Sequence, residues 1–288
     1  MKEGEGVAFG AATIVNAIAT GKGAAFGVDL WTKAKVKLKK NSKRIEVKIT
    51  QDPKENPRLA QEVVKEVFKR FDLKNFGAYV ETYSNIPIAR GLKSSSVAAN
   101  AISLATLAAL EEKLSDMEII NLGVNAAIKA GVTITGAFDD ACASYFGNVV
   151  ITDNVKRRVE KFFMLKEDYD VLIFVPEKKS YTMNVDVNKI KKVMPIIDIV
   201  YKEALEGKYW NAMTINGFVY ATILGYNPEI ALEALSLGAL SAGLSGKGPA
   251  FVAVSPKERT SDILSVWRKY PGKVICTRIN RKKSYAVN

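Results

Sequence analysis

The sequence predicts an α+β protein with two abutting domains. Strand and helix patterns follow one another without a regular βαβ repeat, and two glycine-rich loops lie far apart, at residues 86–96 and 243–249. Of the 288 residues, 48% are hydrophobic, which is enough for one large core or two medium ones. We place the domain boundary between residues 1–163 and residues 164–288.

The first part of the chain shows strand patterns on both sides of one helix. Residues 24–50 alternate polar and apolar side chains around the turn KKNSK, which predicts a β-hairpin. A helix is predicted next, with Asn56 as its cap and Pro57 in its first turn, because apolar residues then recur every four positions. Residues 76–83 alternate again and predict a strand that leads into the first glycine-rich loop.

The segment after this loop predicts two helices and a strand. Residues 96–112 are apolar nearly all round, as in a helix buried within a domain. Ser115 and Glu118 form a capping box for another helix, which ends near Lys129. Residues 133–154 are punctuated by glycine and end in a strand.

The second half begins with a buried strand and ends in a β-α-β pattern. Its predicted strands are 169–176, 251–255 and 273–279. Its predicted helices are 188–206, 208–224, 228–238 and 261–270.

The composition restricts the chemistry. The sequence has no histidine, which excludes Ser-His-Asp and Cys-His nucleophiles and leaves Asp, Glu, Lys or Tyr for proton transfer. Cys142 and Cys276 lack the spacing of a zinc site, and two buried thiols are favoured over a disulfide.

Charge and hydropathy bear on location and partners. The net charge of +12 favours anionic ligands of any kind. Lysines alternate with apolar residues over residues 33–39, which favours a solvated strand face over a nucleic-acid surface, and the basic tail at 278–288 is a weak RNA signal. No stretch reaches the ~18 apolar residues of a membrane span, and the N-terminus has no signal-peptide pattern. We therefore expect a cytoplasmic protein with no membrane partner.

The loop IPIARGLKSSSVAAN, residues 86–100, has the composition of a phosphate-binding turn. A Gly-Ser run between a strand and a helix exposes backbone N–H groups, and the helix dipole adds partial positive charge there. A plain serine N-cap is the alternative interpretation. The cluster Gly243–Pro249 lies between a helix and a strand, so the two loops together predict a site between the domains.

Three motifs resemble those of the GHMP kinases, the superfamily of galactokinase, homoserine, mevalonate and phosphomevalonate kinases. PIARGLKSSSVAA resembles their P-x-x-x-G-L-x-S-S-x-A nucleotide loop, SAGLSGKGPAF their C-terminal glycine-rich motif, and TGAFDDA the segment with a catalytic aspartate. The resemblance implies a ribosomal S5 domain 2-like N-terminal domain and a ferredoxin-like C-terminal domain. Within the superfamily, the N-terminal run ATIVNAIATGKGAAFGVDL, together with GLKSSS and TGAFDDA, most closely resembles the archaeal-type shikimate kinases. This resemblance implies ATP-dependent phosphorylation of the 3-hydroxyl of shikimate, with Mg²⁺, in the chorismate pathway of aromatic amino-acid biosynthesis.

The resemblance also implies roles for individual residues. Asp139 is the expected catalytic base and Asp140 the alternative, although two acids at a helix start are also explained by the helix dipole. Ser95 matches the metal-contacting serine of the family. The residues expected to bind the ATP phosphates are Pro87, Arg90, Gly91, Leu92, Lys93, Ser94, Ser95, Ser96, Gly246 and Gly248. The residues expected to contact the acceptor substrate are Asn16, Thr20, Lys22 and Ser245.

Several alternatives stay open. Lys93 replaces the small residue of many relatives and either reaches a phosphate or projects into water. The glutamate that several relatives use as a Mg²⁺ ligand is missing from Ala126–Gly131. The rival functions are another small-alcohol kinase, of the homoserine or mevalonate type, and a non-catalytic RNA-binding protein. Shikimate and ATP are the expected partners, without nucleic acid, and the sequence leaves the oligomeric state open.

Overall fold

The computed structural model describes residues 2–87, 91–133, 136–177 and 187–287. Its strands are β1 (Glu3–Val15), β2 (Lys22–Lys40), β3 (Ile45–Ile49), β4 (Phe76–Ser84), β5 (Val149–Asp153), β6 (Arg158–Phe163), β7 (Asp170–Pro176), β8 (Ser241–Leu244), β9 (Phe251–Ser255), β10 (Gly272–Arg278) and β11 (Tyr285–Val287). Its helices are α1 (Arg58–Arg70), α2 (Ser94–Leu110), α3 (Asp116–Ala130), α4 (Phe138–Phe146), α5 (Val187–Lys191), α6 (Met194–Leu205), α7 (Tyr209–Leu224), α8 (Glu229–Ser236) and α9 (Lys257–Trp267). Within these ranges, no helix has the length and apolar content needed to cross a bilayer.

The first sheet is organised around the long antiparallel pair β1 and β2. Its strand order is β11-β1-β2-β4-β3, and β5 pairs with the first part of β2 and with β6. Helix α2 packs unusually close to β1, because a Cβ on Gly6 would lie 2.4 Å from the carbonyl oxygen of Ala101. This close approach explains why β1 carries glycine at Gly4 and Gly6 and why α2 presents small alanines, Ala101, Ala105 and Ala109, to it.

The hairpin predicted for residues 24–50 is wrong. Strand β3 pairs in parallel with β4, which lies between β3 and β2. The physical reason is that α1 follows β3 and carries the chain across the sheet, so β4 returns parallel to β3. β4 then pairs antiparallel with β2 from Thr32 to Lys40. The lysines of β2 alternate with buried Ala34, Val36 and Leu38, as the sequence predicted.

The second sheet has the order β10-β7-β9-β8, with every neighbouring pair antiparallel. Counted from β7, this is the 4-1-3-2 order of a ferredoxin-like sheet, so the predicted α+β architecture is confirmed. One cluster of buried apolar side chains extends from the first sheet to the second. Strand β11 returns from the end of the chain to pair with β1, so residues 285–287 lie in the first sheet. The division at residues 163 and 164 stays a prediction.

Other details of the sequence-based prediction also differ. The helix expected at 188–206 is interrupted before Pro195, and the strands β1, β6, β8 and β11 were not predicted. The strand β1 is buried along most of its length, so it lacks the polar and apolar alternation that marks a strand, whereas β6, β8 and β11 are short. Both cysteines are free thiols, but only Cys142 is buried. The expectation of a buried Cys276 is wrong, because β10 lies at the edge of its sheet and exposes this side chain.

Candidate active site

The N-terminal end of α2 has the features of an anion-binding turn. Lys93 occupies the N-cap position with a φ of 63°, and its side chain does not cap the helix. Ser94, Ser95 and Ser96 form the first turn, and the helical hydrogen bonding begins with the N–H of Val97 donating to the carbonyl of Lys93. The N–H groups of this turn have no intrahelical acceptors. A serine N-cap is therefore not what the structure shows, because Lys93 occupies the cap position and no side chain caps the helix.

The two glycine-rich loops contact each other directly. The Ser245 hydroxyl donates to the Gly91 carbonyl at 3.0 Å. A Cβ on Gly91, which has a φ of 78°, would lie 2.6 Å from the Ser245 carbonyl oxygen and 3.0 Å from that of Gly248. Only glycine fits here. The loops that the sequence placed at one site are thus joined in the fold.

The second loop is also fixed to the end of β1. The Gly246 N–H donates to the Thr13 hydroxyl at 3.0 Å, and the Asn16 amide donates to the Gly246 carbonyl at 2.9 Å. The Asn16 side-chain oxygen accepts from the Ile18 N–H at 3.0 Å. Asn16 and Ser245 therefore hold this loop, and their expected contact with the acceptor stays a prediction. No sequence motif marks Thr13.

Lys93 joins three segments of the site. Its ammonium lies 2.8 Å from Oδ2 of Asp140, and both side chains are largely buried, at 13% and 8% exposed. A Cβ on Gly246 would lie 3.0 Å from the same ammonium. The alternative in which the Lys93 side chain projects into water is therefore excluded for this structure. Its charge lies between α2, the start of α4 and the second glycine-rich loop.

The electrostatics of Asp140 follow from this burial. Desolvation, followed by the neighbouring Asp139 carboxylate, raises the pKa of Asp140, and the Lys93 ammonium opposes this shift. Oδ1 of Asp140 is buried and has no hydrogen-bond partner among the described residues. Desolvation and the Lys93 charge also lower the pKa of Lys247 in the second loop.

Asp139 lies beside Asp140 in a different environment. Its Oδ1 accepts from the Asn154 amide at 2.8 Å. Its Oδ2 lies against the backbone of β2, where a Cβ on Gly23 would approach to 2.5 Å. The side chain is 3% exposed. The two aspartates therefore differ: Lys93 neutralises Asp140, and a neutral amide holds Asp139.

Lys22 and Thr20 lie at the rim on the β2 side. The Lys22 ammonium is half-exposed, 3.9 Å from Oδ1 of Asp198 and 5.7 Å from the centre of the Tyr201 ring. The Thr20 hydroxyl bonds to the backbone of Lys22. Thr20 thus shapes the turn, whereas Lys22 has a half-exposed ammonium next to Asp198 and Tyr201.

The remaining predicted residues occupy different positions. Leu92 and Ser96 are buried, and Pro87 is half-buried. Gly248 packs on the Tyr226 ring, where a Cβ would approach to 2.8 Å. Arg90 lies outside the described residues. A cavity of about 120 Å³ opens beside the first turn of α2, and it is lined by Ser94, Ser95, Ala98, Leu59, Thr82 and Ser84, among others.

The described residues contain no group of three or more His, Cys, Asp or Glu side chains placed to hold a metal ion. The oxygens that suit a hard divalent cation are the Ser95 hydroxyl and the unpartnered Oδ1 of Asp140. This sparse set fits a cation that keeps several waters and is bound mainly by phosphate oxygens.

Comparisons with known proteins agree with this geometry. The family model for the GHMP kinases N terminal domain matches residues 58–148. A shikimate kinase from Methanosarcina acetivorans is 46% identical over 282 residues, covering 97% of this chain and 95% of its own. A shikimate kinase from Methanosarcina mazei is 45% identical over 288 residues, covering 99% and 97%. The crystal structure of the Methanococcus jannaschii mevalonate kinase has the same fold, with a TM-score of 0.79 at 16% identity over 96% of this chain and 98% of its own.

Proposed function

This chain belongs to the GHMP kinases, within the family of archaeal shikimate kinases, and we propose that it transfers the γ-phosphoryl group of ATP to the 3-hydroxyl of shikimate, giving shikimate 3-phosphate and ADP. One observation carries the chemical part of the proposal. Lys93, at the N-terminal end of α2, contacts both the second glycine-rich loop and the first turn of α4, which carries Asp139 and Asp140. Phosphate-binding groups and a carboxylate base therefore lie at one place.

The nucleotide phosphates are assigned to the first turn of α2. The amides of Ser94–Ser96 and the positive end of the helix dipole favour a polyanion there. Lys93 and Lys247 add positive charge next to the glycine-rich loops. The cavity beside Ser94 and Ser95 adjoins this turn and is lined by both apolar and polar side chains, so we assign the nucleoside part of ATP to it.

Ser95 and Asp140 are the residues that would hold Mg²⁺ with the nucleotide. When bound, the ion neutralises charge on the phosphate oxygens during transfer. Asp140 supplies a carboxylate oxygen without a partner among the described residues. The Lys93 ammonium balances the charge of Asp140.

Asp139 is the base in this proposal. The acceptor O–H bond breaks, the proton passes to Oδ2 of Asp139, and the oxygen bonds to the γ-phosphorus as ADP leaves. Asp140 is less suited to this task, because the Lys93 ammonium already occupies its Oδ2. Lys22 is the candidate to pair with the shikimate carboxylate, since it presents a half-exposed cation beside Tyr201.

The substrate is tested by ADP release from Mg²⁺ and ATP with a panel of alcohols. We expect turnover with shikimate, little or none with homoserine or mevalonate, and loss of turnover when a chelator removes Mg²⁺. Turnover with homoserine or mevalonate alone would reassign the acceptor. Release of no ADP with any alcohol, together with salt-sensitive RNA binding, would favour the non-catalytic alternative.

Gly23→Ala is expected to lower kcat by about 100-fold, because a methyl group 2.5 Å from Oδ2 must displace the Asp139 carboxylate. Affinity for ATP should change little, since Gly23 lies on β2, away from the glycine-rich loops. Steady-state kinetics and a calorimetric ATP titration measure the two effects.

Gly131→Ala is the matched control. Its Cβ would meet nothing within 4 Å, and the positive φ of 73° costs stability without crowding the site. Its kcat should stay near that of the wild type. An equal loss of kcat in both variants would mean that the Gly23 effect reflects general damage to the fold.

A further inference from the structure

A chain of buried hydrogen bonds leads to the Asp139 carboxylate. The Thr152 hydroxyl donates to Oδ1 of Asn154 at 2.7 Å, which is closer than its other acceptor, the Gly23 carbonyl at 3.3 Å. The Asn154 amide nitrogen donates to Oδ1 of Asp139 at 2.8 Å. Thr152 is 0% and Asn154 5% exposed. Thr152 and Asp153 end β5, and Asn154 is the first residue of the turn to β6.

The contacts of Asn154 determine which way its amide points. Its Oδ1 also accepts from the backbone N–H of Asp139 at 3.2 Å. An N–H group can only donate, so the amide oxygen must face it, and the NH₂ group is left for the carboxylate. A flipped amide would set donor against donor and acceptor against acceptor. The Thr152 hydroxyl reinforces the same orientation.

The backbone of Asn154 is fixed as well. Its N–H donates to the Gly21 carbonyl at 2.8 Å, and the preceding Asp153 pairs with Lys22 in the β2–β5 register. Asn154 therefore connects the strand that carries Lys22 and Gly23 to the helix start that carries Asp139. A change in its side chain alters the carboxylate without removing this backbone contact.

We propose that Asn154 is a positioning residue for phosphoryl transfer, and that Thr152 holds it in the required orientation. The amide holds Oδ1 of Asp139 and thereby directs Oδ2 towards Gly23 and the acceptor hydroxyl. The inference rests on the proposed function, because it takes Asp139 as the base. It assigns Asn154 no contact with either substrate.

The first test separates kcat from KM. Because Asn154 donates to a charged group, Asn154→Ala should lower kcat by about 10- to 100-fold and leave both KM values within about threefold. Thr152→Val keeps the shape but removes the hydroxyl, and kcat should fall by about 3- to 10-fold. Thr152→Ser keeps the hydroxyl and should restore most of the rate. Thr106→Val is the control, since it removes an equally buried hydroxyl that donates only within α2.

The second test uses the isosteric change Asn154→Asp. It replaces the amide donor with a carboxyl, which can donate to Asp139 only while it keeps a proton. The kcat of this variant should fall as the pH rises, because two adjacent carboxylates then repel each other. If ionisation of the Asp139 base were the only effect, kcat would instead rise as the pH rises. A purely structural role for Asn154 would not reverse the pH profile.

Adding Asn154→Ala to Asp139→Asn provides the third test. If Asn154 acts through Asp139, the double variant turns over no more slowly than Asp139→Asn alone. A further loss of the full single-variant size would overturn the inference, as would a kcat for Asn154→Ala within about twofold of the wild type. If Asn154→Ala does not fold, the kcat of Thr152→Val and the pH profile of Asn154→Asp test the same inference.

These outcomes are distinguishable from failure of the proposed function. If Asp139→Asn loses turnover but the Asn154 and Thr152 variants keep theirs, only the positioning role is wrong. If Asp139→Asn keeps full turnover, the base is assigned wrongly and the positioning role is refuted with it.

Discussion

Asp139→Asn is expected to lower kcat for shikimate by about 10²- to 10⁴-fold, because the amide cannot take the proton of the acceptor hydroxyl. The change preserves shape, and among the described residues Asp139 hydrogen-bonds to Asn154 rather than to a glycine-rich loop, so the KM for ATP should stay within about threefold. Steady-state kinetics with each substrate in turn measure both quantities.

Asp170→Asn is the matched control for this variant. Asp170 lies on β7 of the second sheet, outside the candidate site, and accepts a hydrogen bond from Thr260 of α9. The same chemical change there should therefore leave kcat near the wild-type value. Unchanged turnover in Asp139→Asn, with a collapse in Asp140→Asn, would transfer the base to Asp140 and contradict the assignment made from the Lys93 contact.

Lys93→Met is expected to cost about 3–5 kcal/mol of unfolding free energy, because it leaves the buried Asp140 carboxylate without its partner. It should also weaken ATP binding, since the cation between the two glycine-rich loops is lost. Denaturant unfolding and calorimetric titration with ATP measure the two effects separately.

The double variant Lys93→Met with Asp140→Asn distinguishes these effects. It removes both charges, so most of the stability should return while the affinity for ATP stays low. Lys257→Met, which breaks an exposed ion pair with Asp168, should change stability little. A Lys93→Met protein as stable as the wild type would show that the ion pair is not maintained in solution.

Local signals in the sequence accounted for much of the fold. The capping box at Ser115 and Glu118 forms with both reciprocal hydrogen bonds, and the apolar stretch after the first loop is the buried helix α2. Both features depend on residues within a few positions of each other. By contrast, the placement of β4 between β2 and β3 depends on where α1 crosses the sheet, and no short pattern records that.

In the candidate site, too, features within short segments could be predicted, whereas contacts between distant segments could not. The Gly-Ser loop and the Asp139-Asp140 pair were visible because their chemistry is concentrated in short segments. The contact between Lys93 and Asp140 joins residues 47 positions apart in the numbering, and Asn154 reaches Asp139 from another element. Asn16 and Ser245 were expected to contact substrate, but such residues can equally hold a loop, and only the fold shows that here they do so.

The most direct measurement is a crystal structure with a non-hydrolysable ATP analogue, Mg²⁺ and shikimate bound. The account predicts the triphosphate at the first turn of α2, between Gly91 and Gly246, and the 3-hydroxyl of shikimate within hydrogen-bond distance of Asp139. A triphosphate bound away from Ser94–Ser96, or a 3-hydroxyl facing a side chain other than Asp139, would contradict it.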